Sequence, residues 1–505
     1  MLNHFSLVNQ TKITHLYSSS LVMVPIAITC SLAIIILFLN GFIEVIDQDE
    51  TMYALVAKSL LNGSLPYQDV FDHKPLGIYY LYAAFFLVFG VNFFAIRIAT
   101  LCAILIICSC LYYGLKKLRF SNAAIFTAVT VCLAFPLGLA GAAGNTEIFQ
   151  TAIIAVIFRV YTLYPNDKPI IHNGLLVCNG LLVALGFSIN YLFSFLGLFA
   201  YLAFITILLI NKCSFISVIK ISAWILLGFV VGNLLIYYAF IADWISGGNL
   251  IQEYFQDQKT FLSGYQYPIN KKYVIEKGFY WVIPFVPVVL AALSSGWHYR
   301  DKKFQAVIFS VMTGVAGVIS AVISRSFFNH YWVLVLVPLA ILAAVAFESS
   351  NDTKLKNVLV FSLCISLFGY MVSGSERVIN HHLNRVEAKE SHQAFEFMAK
   401  NIGKNDLVAS ILTTPAYLFI NNLHYSQKYV FPNHIPKLEE SGVLVADEYY
   451  VTLLASNPDF IIADKGLCIE TLVENLDSTC TLINEQYEFL ADFDGWWPVE
   501  IYKRL

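Results

Sequence analysis

One stretch near the start of the chain gathers the side chains that could do chemistry. Glu44, Asp47, Asp49, Glu50 and Tyr53 are followed by Asp69, Asp72, His73, Lys74 and Pro75. A carboxylate that loses part of its hydration beside an apolar phase has a raised pKa and can take a proton from a hydroxyl. Asp49 or Glu50 suits that role of general base. Lys74 stands directly before Pro75 and an apolar run, so it suits a phosphate at the depth of lipid headgroups. The plain alternatives are a solvated loop for the acids and a lysine that snorkels to lipid phosphates. Glu147 follows Gly144, Asn145 and Thr146. It fits either a helix N-terminal partner or a ligand for sugar hydroxyls. Arg325, Asn329, His330 and Tyr331 form another polar group ahead of an apolar run containing Pro338. Arginine takes phosphate with two parallel hydrogen bonds, and histidine can donate to the same group. An aromatic and basic interface anchor is the alternative there. The loop 243–278, with Tyr254, Phe255, Tyr265, Tyr267, Lys259, Lys271 and Lys272, suits either a headgroup or acceptor surface or an interfacial aromatic belt.

The elements that must position these groups are written in the composition. Of 505 residues, 58% are hydrophobic and only 13% charged, which excludes a soluble globular, a disordered or a disulfide-stapled secreted chain. Continuous apolar runs, rather than alternating ones, point to a polytopic α-helical membrane protein and away from a β-barrel. Eleven spans are predicted at 21–43, 96–115, 123–140, 148–164, 174–187, 191–210, 219–242, 279–293, 304–323, 331–346 and 358–372. The first is read as a span, because it is long for a cleaved signal. Residues 77–90 make a further apolar run of ambiguous role, read as a juxtamembrane helix. The basic clusters at Lys116, Lys117 and Arg119, at Lys168, at Lys212, at Arg300, Lys302 and Lys303, and at Lys354 and Lys356 then fall on the side of the N-terminus. By the positive-inside rule that side is cytoplasmic. The loops 44–97 and 243–278 and the C-terminal part lie outside.

Residues 376–505 carry 29 of the 65 charged side chains, which separates a membrane body, 1–374, from a water-facing domain, 375–505. That domain reads as mixed α/β, with a helix at 391–402 and strands at 407–411 and 460–463. Eight of the ten cysteines lie in or beside apolar runs. Cys468 and Cys480 are in the outer domain and are expected to pair, since an outer compartment is oxidising. The net charge of −3 gives no reason to expect nucleic acid as a partner. The second reading of such a body is a transporter or flippase of lipid-linked sugars. Ionisable residues inside the spans are few, which counts against it.

Asp49-Glu50-Thr51-Met52-Tyr53-Ala54, Leu61-Asn62-Gly63, Pro66-Tyr67, Phe71-Asp72-His73-Lys74-Pro75-Leu76, Phe89-Gly90 and Arg97 together resemble the opening signature of a family. It is the integral-membrane glycosyltransferases of the protein O-mannosyltransferase/aminoarabinose transferase type, which include dolichyl-phosphate-mannose-protein mannosyltransferases. The stretch from Arg325 to Pro338 resembles a later motif of the same family. The resemblance implies a GT-C fold of about 11–13 transmembrane helices followed by an outer soluble domain. It implies inverting transfer of a sugar from a polyprenyl-phosphate donor to an acceptor hydroxyl on the outer face of a bacterial inner membrane. The acceptor would be a glycolipid such as lipopolysaccharide, a surface glycan or a protein. In that scheme Asp49 is the base beside Glu50. Lys74, Arg325 and His330 hold the donor phosphate, and Tyr53, Glu147 and Tyr331 line the substrates. No cofactor is expected; were a divalent metal required, Asp47-Gln48-Asp49 spells a DxD that would hold it. The chain departs from the aminoarabinose branch at Met52, where arginine is typical. It departs from the usual Lys-Pro-Pro at Leu76, which leaves sugar and acceptor open.

Overall fold

The computed structural model describes residues 23–43, 45–64, 66–139, 141–163, 173–264, 283–296, 302–324, 328–349, 353–382, 386–440, 442–468, 476–495 and 497–505. In chain order the helices are α1 (Met23–Asn40), α2 (Gln48–Leu61), α3 (Gly77–Phe89), α4 (Phe93–Lys117), α5 (Asn122–Gly138), α6 (Thr146–Tyr161), α7 (Asn173–Ile189), α8 (Phe193–Ile210) and α9 (Phe215–Ile236). They continue as α10 (Tyr238–Ile245), α11 (Leu250–Gly264), α12 (Val286–Gly296), α13 (Lys302–Ile323), α14 (Leu336–Ser349), α15 (Thr353–His382) and α16 (Val386–Asn401). The last part of the chain runs β1 (Val408–Ile411), α17 (Ala416–Ile420), α18 (His434–Glu440), α19 (Ala446–Leu454), β2 (Phe460–Asp464), α20 (Asp477–Gln486), β3 (Tyr487–Phe493) and β4 (Val499–Arg504). Each of the eleven expected spans overlaps a helix. Among the described residues, seven helices are long and apolar enough to cross a membrane. The run at 77–90 is a 13-residue helix, below the length of a crossing.

The chain divides into two compact units that interleave in sequence. One comprises Met1–Phe42, Arg97–Leu235 and Pro268–Arg377; the other comprises Ile43–Ile96, Ile236–Tyr267 and Val378–Leu505. Residues 45–96 and 243–264, which the sequence placed outside, therefore fold with the C-terminal segment as one unit, and most of the apolar helices make the other.

In the helical unit, the apolar window of Asn329–Glu348 is wholly buried, whereas those of Met23–Asn40 and Phe215–Ile236 are only 28% buried. The former is a central helix and the latter two present apolar side chains outward. Both patterns are stable in lipid, because the surrounding medium is as apolar as the core. A 3₁₀ turn, Asn329–Val335, leads into α14, and Pro338 sits in the first turn of α14, where a missing N–H costs nothing. α7 and α9 cross at glycines. A Cβ on Gly180 would stand 2.0 Å from the Ile225 carbonyl oxygen, and one on Gly228 would stand 2.1 Å from that of Val177. Backbone contact this close is how helices gain packing where no hydrophobic effect drives them together.

In the other unit, the sheet has the order β1-β2-β4-β3. β1 and β2 are parallel, with Val408 opposite Phe460; β4 is antiparallel to both its neighbours. The two parallel strands read as continuous apolar runs because they are buried along their length. Ala409, Ile411, Ile461 and Ala463 share a core with Leu412, Ile435, Tyr450 and Tyr487. The helix and both strands expected from sequence are present; the hairpin β3–β4 was not anticipated, since most of its positions are exposed or half-buried. Asp447 accepts from the backbone N–H groups of Thr479 (2.8 Å) and Ser478 (3.3 Å), which ties α19 to the start of α20.

Cys468 and Cys480 form the expected disulfide, closing a loop of sequence separation 12. The loss of chain entropy on closing so short a loop corresponds to about 3 kcal/mol of stability. Cys468→Ser should lower the unfolding free energy of this unit by about that amount, read from thermal melts of the purified protein. Alkylation of both thiols without prior reduction would show the bond to be absent. Gly228→Leu should push α7 and α9 apart and cost at least 1–3 kcal/mol, roughly the price of overpacking a core. Size-exclusion profiles of detergent-extracted protein that match the wild type would contradict that packing.

Candidate active site

The first acidic cluster is built on the N-terminus of α2. Asp47 is the N-cap, and its side chain accepts from the Asp49 N–H at 3.0 Å. Glu50 reaches back so that Oε1 accepts from the N–H groups of Ile46 (2.6 Å) and Asp47 (3.3 Å). This reciprocal arrangement is a capping box, and the helix dipole favours both charges there. Glu50 is fully buried in this role. Asp49, one residue earlier, is half-buried, and the Tyr53 hydroxyl donates to its Oδ2 at 3.4 Å. The two adjacent acids thus have different duties: one shapes the helix end and the other keeps an accessible carboxylate. Asp47 has its Oδ1 engaged in the cap, next to Asp49 in the DxD.

Lys74 is positioned by the loop between α2 and α3. Its carbonyl oxygen accepts from the Tyr67 hydroxyl at 2.6 Å, and the Tyr79 hydroxyl lies 3.1 Å from it. The Tyr79 hydroxyl is closer to Asp72 Oδ2, at 2.8 Å. Tyr67 adopts φ 73°, a left-handed backbone that a bulky side chain avoids, and its ring is packed 4.6 Å from that of Tyr254. Burial raises the Tyr67 hydroxyl well above its ordinary range, so it remains a donor. The Phe71 N–H donates to the Lys428 carbonyl at 2.8 Å, and Lys428 pairs with Asp257 at 2.8 Å. The loop is thereby tied to both other segments of its unit. Lys74 itself is 5% exposed.

Asp72 is the most heavily used group of this loop. Its Oδ1 accepts from the His73 N–H at 2.7 Å and lies 3.1 Å from His73 Nδ1. Burial alone would raise its carboxyl. The hydrogen bond from His73, with the charges of His73 and Lys74, outweighs burial and holds it well below the usual carboxylate range. His434 Nε2 is 3.9 Å from Asp72 Oδ1. Burial drives the His434 pKa down to about 3, against the pull of Asp72, so the ring is neutral. A neutral ring makes no ion pair with Asp72. Asp72, His73 and His434 are the residues here that could hold a metal ion: one donor atom of each lies within 4.8 Å of the others.

The second group lies in the helical unit. Glu147, in the first turn of α6, is 1% exposed. Its Oε1 accepts from the Thr146 hydroxyl (2.9 Å) and the Asn190 amide (3.2 Å), while Oε2 is buried with no hydrogen-bond partner among the described residues. Gln150 donates to the Asn190 carbonyl at 2.7 Å and so fixes the segment that holds Glu147. The Thr151 hydroxyl lies 2.7 Å from the Glu147 carbonyl and 3.1 Å from that of Val333, which joins α6 to the 3₁₀ turn carrying His330 and Tyr331. Those two rings are 4.7 Å apart, and both residues are buried.

The structure thus gathers Asp49, Glu50, Tyr53 and Lys74 in one unit and Glu147, His330 and Tyr331 in the other. Arg325 lies outside the described residues, as do Tyr265, Tyr267, Lys271 and Lys272. The sequence places Asp72 and His73 among the residues able to do chemistry and within the family motif, but gives neither a role of its own. Sequence reasoning passed over Tyr67 and Tyr79 as hydrogen-bond donors, and over Asn190, Gln150 and His434 altogether. A motif that packs so many polar residues before a proline was the available signal for the first pair. Nothing local marked His434.

The fold is shared with solved GT-C membrane glycosyltransferases. ArnT from Cupriavidus metallidurans in the apo state aligns with a TM-score of 0.63 at 12% identity, over 95% of this chain and 97% of that one. The same protein bound to undecaprenyl phosphate aligns at 0.65 and 12%, over 94% and 97%. The Archaeoglobus fulgidus oligosaccharyltransferase in complex with Zn and sulfate aligns at 0.53 and 13%, over 92% of this chain and 71% of that one. No family model matches the chain, and no curated protein matches it in sequence.

The capping box yields a direct test. Asp47→Ala and Glu50→Ala should each lower the stability of the protein by about 1 kcal/mol, typical of a lost N-cap. Asp49→Asn, which leaves the cap in place, should melt within about 0.5 kcal/mol of the wild type. Equal losses for all three variants would mean that the acids are not divided in this way.

Proposed function

We propose that the protein is an inverting membrane glycosyltransferase that moves a sugar from a polyprenyl-phosphate donor to an acceptor hydroxyl at the outer face of a bacterial inner membrane. The observation that carries this reading is the likeness, along nearly the whole chain, to ArnT bound to undecaprenyl phosphate. The division of labour at α2 supports it, because Glu50 is buried in the helix cap whereas Asp49 is only half-buried. The N-terminus is cytoplasmic in this reading, and the domain formed by the C-terminal segment is periplasmic or otherwise extracytoplasmic.

The chemistry is a single displacement. Asp49 takes the proton of the acceptor hydroxyl as its oxygen bonds to the anomeric carbon. The bond from that carbon to the phosphate oxygen breaks, and its electron pair leaves on the polyprenyl phosphate. One attack from the face opposite the leaving group inverts the anomeric centre. The added negative charge on the phosphate is what Lys74 neutralises, held by the tyrosine hydroxyls on its carbonyl. By the sequence resemblance, Arg325 and His330 serve the same phosphate. Tyr53, Glu147 and Tyr331 are assigned to sugar and acceptor. The acceptor is a glycolipid, a surface glycan or a protein.

Asp49→Asn should cut transfer by roughly 10²–10⁴-fold, the usual worth of a general base. The assay is transfer of radiolabelled sugar from a polyprenyl-phosphate donor pool to cell-envelope acceptors in membrane vesicles. Undiminished transfer by that variant would remove Asp49 from the mechanism. Lys74→Ala should raise the KM for the donor by tenfold or more, roughly the loss of one charge-assisted contact, with the acceptor KM little changed. Equal effects on both substrates would place Lys74 elsewhere.

A further inference from the structure

We propose that Asp72, His73 and His434 form a binding site for a divalent transition-metal ion, of which Zn²⁺ fits the donor set best. The three donors are two imidazole nitrogens and a carboxylate oxygen, the combination that suits zinc with a fourth position left for water. All three belong to one compact unit, yet His434 comes from the C-terminal segment and the other two from the first loop.

Both donor spacings from Asp72 Oδ1 are compatible with a shared ion. Two donors each about 2.1 Å from a zinc ion are about 3.4 Å apart at the tetrahedral angle and at most about 4.2 Å apart. Asp72 Oδ1 lies 3.1 Å from His73 Nδ1 and 3.9 Å from His434 Nε2. The second distance is too long for a hydrogen bond but within reach of a shared ion. The widest separation in the group, at most 4.8 Å, needs a contraction of about half an ångström to close on one ion.

The surroundings fit the same role. The Tyr79 hydroxyl holds Asp72 Oδ2 at 2.8 Å, which orients the carboxylate with Oδ1 toward the histidines. His434 is wedged against Phe71 and Phe431, with ring centroids 5.2 and 5.3 Å away. Gln258 donates to the Asp72 carbonyl at 3.5 Å, and its own Oε1 is buried with no hydrogen-bond partner among the described residues. It is a spare acceptor beside the cluster. His73 has 22% of its side chain exposed, so an ion has a way in. Asp72 and His73 directly precede Lys74, and an ion here would pin the loop that carries it to the C-terminal segment. The site is separate from Asp47 and Asp49, the acids that a DxD reading would use.

The test uses the full-length protein in detergent, with any polyhistidine tag removed and metal stripped by a chelator. Zn²⁺ alone is then added back. The expected result is close to one zinc per chain by elemental analysis after gel filtration, with a rise in melting temperature. His73→Ala, at a partly exposed position, should fold as the wild type does and bind zinc at least tenfold more weakly. His434→Gln should lose both the bound zinc and the zinc-induced rise in melting temperature. Two results would overturn the proposal: no stoichiometric zinc on the wild type, or zinc retained at wild-type affinity by His73→Ala. Should His434→Gln fail to fold, Asp72→Asn and His73→Ala decide the matter by the same two measurements. None of these measurements depends on transfer activity, so failure here leaves the glycosyltransferase reading standing, and loss of transfer in Asp49→Asn leaves this site standing.

Discussion

A buried carboxylate governs the first loop. Asp72 is removed from water, and its lost hydration is offset by the His73 N–H and imidazole and by the Tyr79 hydroxyl. An isolated buried charge is unstable by many kcal/mol, so these partners are obligatory. Because Tyr79 serves both Asp72 and the Lys74 carbonyl, satisfying the charge also sets the backbone of Lys74. Tyr67 keeps a left-handed backbone in the same network, strain that the packing of its ring against Tyr254 helps to hold.

The same logic of neighbouring residues with different duties appears at α2. Glu50 and Asp49 carry identical charges and differ by one position, yet helix geometry turns one back onto the N-terminal N–H groups and leaves the other facing Tyr53. In the helical unit the device is the reverse. Glu147 satisfies one oxygen through Thr146 and Asn190, and the second has no donor among the described residues. A buried oxygen left in this way has a cost of about 1–3 kcal/mol, which is the kind of debt that substrate hydroxyls settle in a binding site.

Much of the architecture was legible in the chain because its physical causes are local or additive. Each apolar run became a helix, since lipid leaves no other way to satisfy backbone groups. The buried strands Val408–Ile411 and Phe460–Asp464 stood out as short apolar runs, and the Cys468–Cys480 bond followed from two cysteines left together outside the spans. The hairpin of β3 and β4 was not legible. Tyr487–Phe493 and Val499–Arg504 are half-exposed, and their pairing is fixed by partners across a bulge between Phe489 and Ala491 rather than by their own pattern.

What the sequence determined by itself was the class of medium and the place of the apolar helices. These depend on hydrophobicity and residue type, which are properties of single positions and short windows. Only the tertiary structure decided which of two adjacent acids caps a helix, that Asn190 and Gln150 hold Glu147, and that His434 comes to stand 3.9 Å from Asp72. The cap spans only three or four residues, but the other pairings join residues tens to hundreds of positions apart, and no local pattern encodes them. They exist because folding removes those polar groups from water and each must then find its partner within the protein.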